Sequence, residues 1–398
     1  MLMKNEALTP KEALQTYADW LLNQRTDDQF FKCYEHGTLR YEWYMIFYSV
    51  RALLCAGRLL GERRYIDALF PYFDNYVSEQ LPNGGFTSDF RKRPTTRLTK
   101  AEFHEILRGG KVNLADAGSN VTALIQGAFE ADENRRKQYL DAARRWLDEW
   151  APIWALPEGG YGNGIWVGHK LNGPYTMAIA DTASAYSAFF KATGETEYRE
   201  AAERCIRFQC GHWLADGRPV NLSIYPTPHR QVINDYGRVF YLLEGLCWTH
   251  SVTGDPGLKL LIETRLREWI FGANGILAQW NGSWFDFNSW RAPNVSSPED
   301  QLPESRAGLR HFWQYAKSNG ILSFFSYYLH HIEDVPALRE KTENGIQFLC
   351  QPRKAVMTGV MSDPGESYGQ FAVQATGFAG LSLAEAIKPD SSFFISHW

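Results

Sequence analysis

The chain has 398 residues, of which 44% are hydrophobic and 22% charged, with 41 basic against 45 acidic side chains. This composition supplies a large core and excludes wholesale disorder, and the net charge of −4 lacks the basic excess of a nucleic-acid binder. Aromatic residues make up 15% of the chain, and large flat side chains in that number serve either as core packing or as sugar-stacking surfaces.

The N-terminal region is charged and lacks the apolar stretch of a secretory signal, and no run approaches the roughly 18 apolar residues of a membrane span. The six cysteines form no Cys-x-x-Cys pair, and most fall in apolar helical segments. We therefore expect buried reduced thiols in a cytoplasmic protein, provided that no leader precedes this sequence, with disulfides or a metal cluster as the alternative. No membrane partner is expected, and a homo-oligomeric assembly is left open.

Helical periodicity dominates the sequence, and the predicted helices alternate between two kinds. Charged amphipathic helices are predicted at 11–22, 63–79, 135–150, 197–209, 257–271 and 337–349. Helices rich in Ala, Gly, Ser and aromatic residues are predicted at 41–59, 116–129, 179–192, 235–251, 315–331 and 368–386. A helix that is apolar on most sides must be buried, whereas one with a single apolar stripe covers it. The pattern predicts an all-α (α/α)6 barrel, with six inner and six outer helices, as one domain over residues 1–398.

The connections between the predicted helices differ in length. Those from an inner helix to the next outer helix are short turns, at 61–64, 132–135, 194–197, 254–257 and 332–336. Those from an outer helix to the next inner helix are long, at about 80–115, 152–178, 212–232, 272–313 and 351–366. The long connections therefore gather at the N-terminal ends of the inner helices, where loops of that length are usually functional. Free N–H groups and helix dipoles at this mouth also favour an anionic ligand.

Two predicted inner helices begin with an aspartate in a similar context, Asp116 in NLADAGSNV and Asp181 in AIADTASAY. Aspartate is a favoured N-cap, so a capping role is the alternative interpretation. On adjacent inner helices at the loop-rich end, however, both carboxylates would face one cavity. Two such carboxylates are the minimum for acid–base cleavage of a glycoside, because one can stay protonated while the other is ionised. We expect Asp116 and Asp181 to be the catalytic residues.

Substrate-binding candidates lie around the same helix ends. The Gly-rich loop before Asp181 holds Trp166 and His169, and the tryptophan either covers the end of the barrel or stacks on a sugar ring. Arg238 opposes the dipole of its helix and so needs a carboxylate partner, from the protein or from the substrate. The other candidates are His229, Arg230, Asp235, Tyr236, Trp313, Lys317 and Tyr368, with Arg40, Glu42, His311 and Glu366 as further lining residues.

These segments resemble the unsaturated glucuronyl and rhamnogalacturonyl hydrolases, glycoside hydrolase families 88 and 105, which are (α/α)6 barrels acting on terminal uronic acids. The likeness of organisation covers most of the chain, while the residue motifs are few and short. ADAGSNV is similar to the family's Asp-x-Gly segment and places Asp116, and IADTASAY followed by ATGETEY is similar to its second Asp-led helix and places Asp181. Trp166 matches the family's sugar-stacking tryptophan in setting. DYGRVFYLLEGL resembles its Arg-Gly-Gln-Ala-Trp helix and places Arg238.

The resemblance implies a glycoside hydrolase that removes a terminal uronic acid from an oligosaccharide without a metal or organic cofactor. For an unsaturated sugar, it implies that Asp181 protonates the vinyl-ether double bond and activates water, while Asp116 orients the sugar. The sequence departs from the family at Ala115, where a histidine is common, and at Phe240 and Leu242, where a Gln and a Trp are replaced. These departures make a saturated β-glucuronide the second substrate class.

Two other functional classes fit the same helical pattern. A polysaccharide lyase or sugar 2-epimerase would use histidine or tyrosine bases, for which His169, His229 and His311 are candidates. A non-catalytic carbohydrate-binding barrel would leave both aspartates with ordinary pKa values, whereas a working acid has its pKa raised. No HExxH motif, Cys/His cluster or nucleotide-binding loop indicates a metal or nucleotide cofactor.

Overall fold

The chain is described by a computed structural model that covers residues 7–27, 30–35, 38–40, 42–88, 110–166, 169–215, 217–223, 229–232, 236–273, 275–279, 319–363 and 371–392. In this part of the chain the main elements are helices. They are α1 Pro10–Asn23, α2 Phe47–Leu60, α3 Arg63–Asp67, α4 Phe70–Ser78, α5 Leu114–Ala128, α6 Glu133–Arg145, α7 Thr176–Thr193, α8 Thr196–Gly211, α9 Tyr236–His250, α10 Pro256–Phe271, α11 Ile276–Gln279, α12 at 319–331, α13 Pro336–Leu349, α14 Pro352–Ala355 and α15 Ala372–Ile387.

Local sequence signals set the ends of several helices. Thr9 caps α1: its hydroxyl accepts the backbone N–H of Glu12 at 3.3 Å, and the Glu12 carboxylate accepts the N–H of Thr9 at 2.8 Å. Gly61 ends α2 and Gly194 ends α7, with φ of 70° and 77°. Glycine adopts this left-handed conformation without steric cost, so the chain reverses at once into the next outer helix.

The inner ring consists of α2, α5, α7, α9, α12 and α15. Helix α2 packs against α15 and α5, α5 packs against α7, and α7 packs against α9. Helix α12 closes the ring, because a side chain at Gly320 would collide with the ring of Phe240 on α9 and would lie 3.0 Å from Phe378 on α15. The Ser382 hydroxyl of α15 also donates to the Asn319 carbonyl of α12 at 2.5 Å. The predicted ring of six inner helices is therefore confirmed.

The outer helices cover this ring with one apolar stripe each. In α8 the buried residues fall at the spacing of a single helix face: Tyr198, Ala201, Ala202, Cys205 and Ile206. Helix α1 packs against α2, α13 and α15, helix α6 against α4 and α5, and helix α8 against α7, α9 and α10. The (α/α)6 barrel expected from the alternating helix types is the observed fold.

The structure corrects several predicted helix boundaries. The outer helix predicted at 63–79 is two helices, α3 and α4, and Pro71 lies in the first turn of the second. The helix predicted at 135–150 stops as an α-helix at Arg145, widens into a π-helical turn over Trp146–Trp150 and ends in a 3-10 turn containing Pro152. Two inner helices, α5 and α7, begin before the aspartates that were expected to start them.

In the described part of the chain, three small antiparallel sheets, which the sequence did not predict, lie in the connections that lead to inner helices. Strands pair in the orders β1-β2, β3-β4-β5 and β6-β7. The strands are β1 Cys33–Glu35, β2 Thr38–Arg40, β3 Lys111–Asn113, β4 Gly164–Trp166, β5 His169–Leu171, β6 Val220–Ser223 and β7 His229–Val232. Since each sheet precedes the N-terminus of an inner helix, the sheets lie at the mouth of the barrel.

The opposite end of the barrel is closed by the segment that follows α15. Glu385 accepts the backbone N–H of Ser392 at 2.6 Å and that of Asp390 at 2.7 Å, which folds this segment back over the helix ends. Arg51 of α2 donates to the Ser392 carbonyl at 3.0 Å and forms an ion pair with Glu244 of α9. The closed end is therefore polar but internally paired.

All six cysteines are buried and none forms a disulfide, as the sequence predicts. Burial raises the pKa of the Cys55 thiol to about 12, so this side chain behaves as a small apolar residue. Among the described helices, none combines the length and apolarity that crossing a membrane requires.

Candidate active site

Asp116 is the third residue of α5 and does not cap it. The cap is Asn113, the last residue of β3, whose side-chain oxygen accepts the backbone N–H of Asp116 at 2.8 Å. The amide nitrogen of Asn113 donates to Asp116 Oδ2 at 2.7 Å and to the Ser88 hydroxyl at 2.9 Å. The capping interpretation is therefore wrong for Asp116, since a neighbouring residue does the capping and also fixes the orientation of the carboxyl group.

The Asp116 carboxyl group has an unusual proton affinity. Burial raises its pKa to about 6, although hydrogen bonds from Asn113 and Ser88 act in the opposite direction. The negative charge of Glu42 raises the pKa further, and the positive charge of Lys111 lowers it. The side chain is nonetheless only half-buried. A carboxyl group with a pKa near neutrality and access to the mouth can deliver a proton to a substrate.

Asp181 lies in the second turn of α7, which begins at Thr176, so the capping interpretation is wrong here too. The residue is 1% exposed and sits where three inner helices come closest together. A side chain at Gly118 of α5 would lie 2.8 Å from the Asp181 carbonyl, and one at Gly245 of α9 would lie 2.9 Å from the Ala180 carbonyl. Glycine at these two positions lets the helices carrying Asp116 and Asp181 approach closely.

The buried phenol of Tyr241 is influenced by the charges of both aspartates. Tyr241 is buried on α9, one helical turn toward the mouth from Gly245. Its pKa is raised well above the usual value, first by burial and then by the negative charges of Asp181 and Asp116. The structure thus brings the two predicted catalytic carboxyl groups to neighbouring helices around one buried aromatic side chain.

Trp166 and His169 reach the same helix end through the β3-β4-β5 sheet. Trp166 pairs with Lys111 on one side and with His169 on the other, and Gly164 pairs with the cap residue Asn113. The Lys111 ammonium lies 4.6 Å from the centre of the Trp166 ring. Trp166 is half-buried and His169 is exposed, so both are within the mouth region; their sugar-binding roles stay predictions.

The other predicted substrate-binding residues are described less fully. His229 and Arg230 lie on β7, where their backbones pair with Ser223 and Leu222. Tyr236 and Arg238 lie in the first turn of α9, as predicted for a helix start at the mouth. Six predicted residues lie outside the described residues: Asp235, His311, Trp313, Lys317, Glu366 and Tyr368.

The three residues that depart from the family pattern are all buried. Phe240 and Leu242 are each 1% exposed and belong to the core between inner helices, so they fill space and do not line the mouth. Ala115 is buried beside Asp116, and its backbone N–H donates to Asn163 Oδ1 at 3.2 Å. Where the family often has a histidine, this chain therefore has only a buried methyl group next to Asp116.

Sequence reasoning missed Ser88, Lys111, Asn113 and Tyr241. One signal was available, because Asn113 stands three residues before Asp116, which is the spacing of an N-cap and the residue that it binds. Ser88 and Tyr241 come from distant segments, and Lys111, on the strand that leads into α5, has nothing in its local sequence that marks it.

Solved structures with the same architecture include several enzymes that act on glycans. A family 76 glycoside hydrolase from a bovine Bacteroides thetaiotaomicron strain matches with a TM-score of 0.62 and 12% identity, over 94% of this chain and 77% of the other. A possible member of the GH105 family from Salmonella enterica matches with a TM-score of 0.61 and 12% identity, over 95% and 93%. The chain has the (α/α)6 barrel fold.

A cellobiose 2-epimerase from Spirochaeta thermophila also matches, with a TM-score of 0.58 and 14% identity, over 93% of this chain and 96% of the other. No protein-family model and no curated protein sequence matches the chain. The GH105 match supports, at the level of the fold, the resemblance to families 88 and 105 that the motifs indicate. Identities this low leave the reaction and the substrate to be argued from the site.

Proposed function

We propose that the chain is a glycoside hydrolase that removes a terminal uronic acid from an oligosaccharide. The observation that carries this proposal is the pairing of Asp116, half-buried with a pKa raised to about 6, with the buried Asp181 on the adjacent inner helix. A raised pKa at a helix N-terminus is notable, because the helix dipole favours the ionised form. A purely structural barrel has no need of a protonated carboxyl group at its mouth.

In this proposal Asp116 is the proton donor and Asp181 is its ionised partner. For a saturated β-glucuronide, Asp116 protonates the glycosidic oxygen as the bond to the sugar breaks, and Asp181 stabilises the positive charge that develops on the ring. The assignment rests on accessibility, since Asp116 is half-buried whereas Asp181 is 1% exposed. For an unsaturated uronide, the family resemblance assigns the protonation step to Asp181, so the two aspartates must be tested separately.

The proposed uronic acid specificity rests on the motifs around Asp116 and Asp181 and on the inner-helix N-termini, where the helix dipoles favour an anionic ligand. The neighbouring structures are compatible with other sugars, since one solved complex of a family 76 enzyme holds an α-1,6-mannotetrose. The substrate therefore has to be identified by measuring activity on several candidate substrates side by side.

The first experiment measures wild type, Asp116→Asn and Asp181→Asn on three substrates. These are an unsaturated uronyl disaccharide, followed by loss of its ultraviolet absorbance, 4-nitrophenyl β-glucuronide, and a β-glucuronide with an alkyl leaving group. We expect Asp116→Asn to lose far more activity on the alkyl glucuronide than on the nitrophenyl one, because a good leaving group needs little protonation. Equal losses on both would show that Asp116 is not the acid.

Activity on the unsaturated disaccharide that survives in Asp116→Asn and vanishes in Asp181→Asn would assign protonation to Asp181. A folded wild-type protein that is silent on all three substrates would contradict the hydrolase proposal. The match to a cellobiose 2-epimerase makes epimerisation of a reducing disaccharide the assay to run in that event.

A further inference from the structure

Lys111 places a positive charge beside the candidate acid. It lies on β3, two residues before the cap residue Asn113, and its side chain is 25% exposed. Its ammonium group lies 3.4 Å from Glu42 Oε1 and 4.6 Å from the centre of the Trp166 ring. The Lys111 subsite, defined as Glu42, Lys111 and Trp166, therefore combines a cation, a hydrogen-bond acceptor and an aromatic ring.

Backbone hydrogen bonds hold this subsite rigidly against Asp116. The N–H of Trp43, next to Glu42, donates to the Ser88 carbonyl at 2.8 Å, and the N–H of Ser88 donates to the Lys111 carbonyl at 2.9 Å. Lys111 is in register with Trp166 in the β3-β4 pair. Since the Ser88 hydroxyl also accepts a hydrogen bond from Asn113, which holds the Asp116 carboxyl group, one network positions both groups.

We propose that Lys111 is the residue that recognises the carboxylate of a sugar acid bound against Trp166. This inference rests on the proposed glycosidase function and names the group that selects its substrate. An ammonium group has three N–H donors, and one of them suffices for Glu42, so two are left to bind a carboxylate. The flat face of a tryptophan next to a cation suits a pyranose ring that carries a negative charge.

The charges around the subsite are compatible with an anionic sugar. Glu42 and Lys111 cancel each other, and Asp116 is neutral when it carries the proton that the reaction consumes. The dipole of α5 adds partial positive charge at this end, although the N–H groups of Ala115 and Asp116 already donate to Asn163 and Asn113. Within the Lys111 subsite an added carboxylate therefore meets no net negative charge, and the ionised Asp181 lies on the adjacent inner helix, outside this subsite.

The test compares 4-nitrophenyl β-glucuronide with 4-nitrophenyl β-glucoside, which differ only in the carboxylate. In Lys111→Met we expect KM for the glucuronide to rise by about 10- to 100-fold, as for loss of one charge-assisted contact. Kinetics on the glucoside should change less than about twofold well below pH 6, where Asp116 keeps its proton in both proteins. Lys111→Arg should restore part of the preference for the glucuronide. Lys170→Met is the matched control, since Lys170 is an exposed lysine on the adjacent strand β5.

Equal losses of Lys111→Met on the two substrates would overturn the proposal, because Lys111 would then only support the sheet. A wild-type preference for the glucoside would overturn it too. If the wild type cleaves neither substrate, a saturated β-glucoside or β-glucuronide is not its substrate, and calorimetric titration with glucuronate and with glucose still tests Lys111. Tighter binding of glucuronate that is lost in Lys111→Met would support the inference, and equal binding of both sugars would refute it.

Discussion

The two ends of the barrel both bury charged side chains, but they differ in how the charges are satisfied. At the closed end Arg51 is 1% exposed and contacts Glu244, the Gln126 side chain and the Ser392 carbonyl. At the mouth Asp116 is half-buried and exchanges hydrogen bonds mainly with its cap residue. A buried charge whose hydrogen bonds are all made within the protein holds helices together. A carboxyl group at the mouth that has only part of its hydrogen bonds made remains available for a substrate.

Raised pKa values alone do not distinguish these two ends. Burial raises the pKa of Glu385 at the closed end to about 7, against the opposing effect of the N–H and hydroxyl groups of Ser392. The pKa of Asp116 at the mouth is raised to about 6, also by burial. Glu385 is sealed under its own chain segment, so what marks Asp116 as a candidate catalytic group is its access to the mouth as well as its pKa.

The largest expected effect tests this distinction directly. Asp116→Asn should lower kcat on the preferred substrate by about 10²- to 10⁴-fold, as for loss of a general acid, with little change in thermal stability. Glu385→Gln should leave kcat per folded molecule unchanged and lower the melting temperature instead, because an amide cannot accept all the hydrogen bonds that the carboxyl group receives. Steady-state kinetics and thermal unfolding of both variants are the measurements. A Glu385→Gln protein that is stable but inactive would contradict the assignment of the two ends.

The second prediction concerns the stability of the closed end. Arg51→Met should lower the free energy of unfolding by about 3–5 kcal/mol, because it leaves Glu244 buried without its cation. Lys137→Met is the control, since Lys137 and Asp141 form an ion pair whose side chains are 79% and 59% exposed, and its loss should cost less than about 1 kcal/mol. Urea denaturation gives both values. The double variant Arg51→Met, Glu244→Met should recover part of the lost free energy of unfolding. An equally large loss in the double variant would show that the destabilisation comes from altered packing and not from an unpaired charge.

The helices of the barrel could be predicted from the sequence, but the short strands at its mouth could not. Helix type and ring order follow from periodicity and from the Ala/Gly/Ser-rich inner helices, so the barrel and the placement of Asp116 and Asp181 near one interior were predictable. The three-residue strands β3, β4 and β5 were not, because they are too short for an alternation pattern and are held by pairing between distant segments. Lys111 meets Trp166 only through that pairing.

The same limit applies to the closed end. The sequence does not show that Arg51 and Glu244, separated by 193 residues, form an ion pair at the closed end of the barrel. Each lies in a largely apolar helix, where an isolated charge has no local pattern to interpret. The observed helix boundaries differ from the predicted ones where a capping residue or a proline sets the end of a helix. Asn113 does so at the start of α5, and Pro152 does so after α6.

A third prediction uses the pH dependence of stability. Because the folded-state pKa of Glu385, about 7, exceeds the ordinary value of 4.5, the folded protein binds this proton more tightly than the unfolded chain does. The resulting stabilisation is fully present below about pH 4.5 and is lost as pH rises through 7; it amounts to about 3 kcal/mol. Urea denaturation at several pH values should therefore show a smaller decline over this range in Glu385→Gln than in wild type. An unchanged slope would mean that Glu385 is not the group responsible.

The smallest expected effect concerns the proton on Asp116. Activity that needs this proton should fall as pH rises through about 6. Removing the negative charge in Glu42→Gln should lower the Asp116 pKa and move the falling limb to lower pH by a fraction of a unit, whereas Lys111→Met should move it to higher pH. The other ionisable groups that feel Asp116, the phenols of Tyr76 and Tyr241, are kept neutral by burial and should not contribute. The measurement is kcat/KM against pH on the glucoside, where substrate charge plays no part. Shifts of the same sign in the two variants would mean that the falling limb of the pH profile reflects the titration of a group other than Asp116.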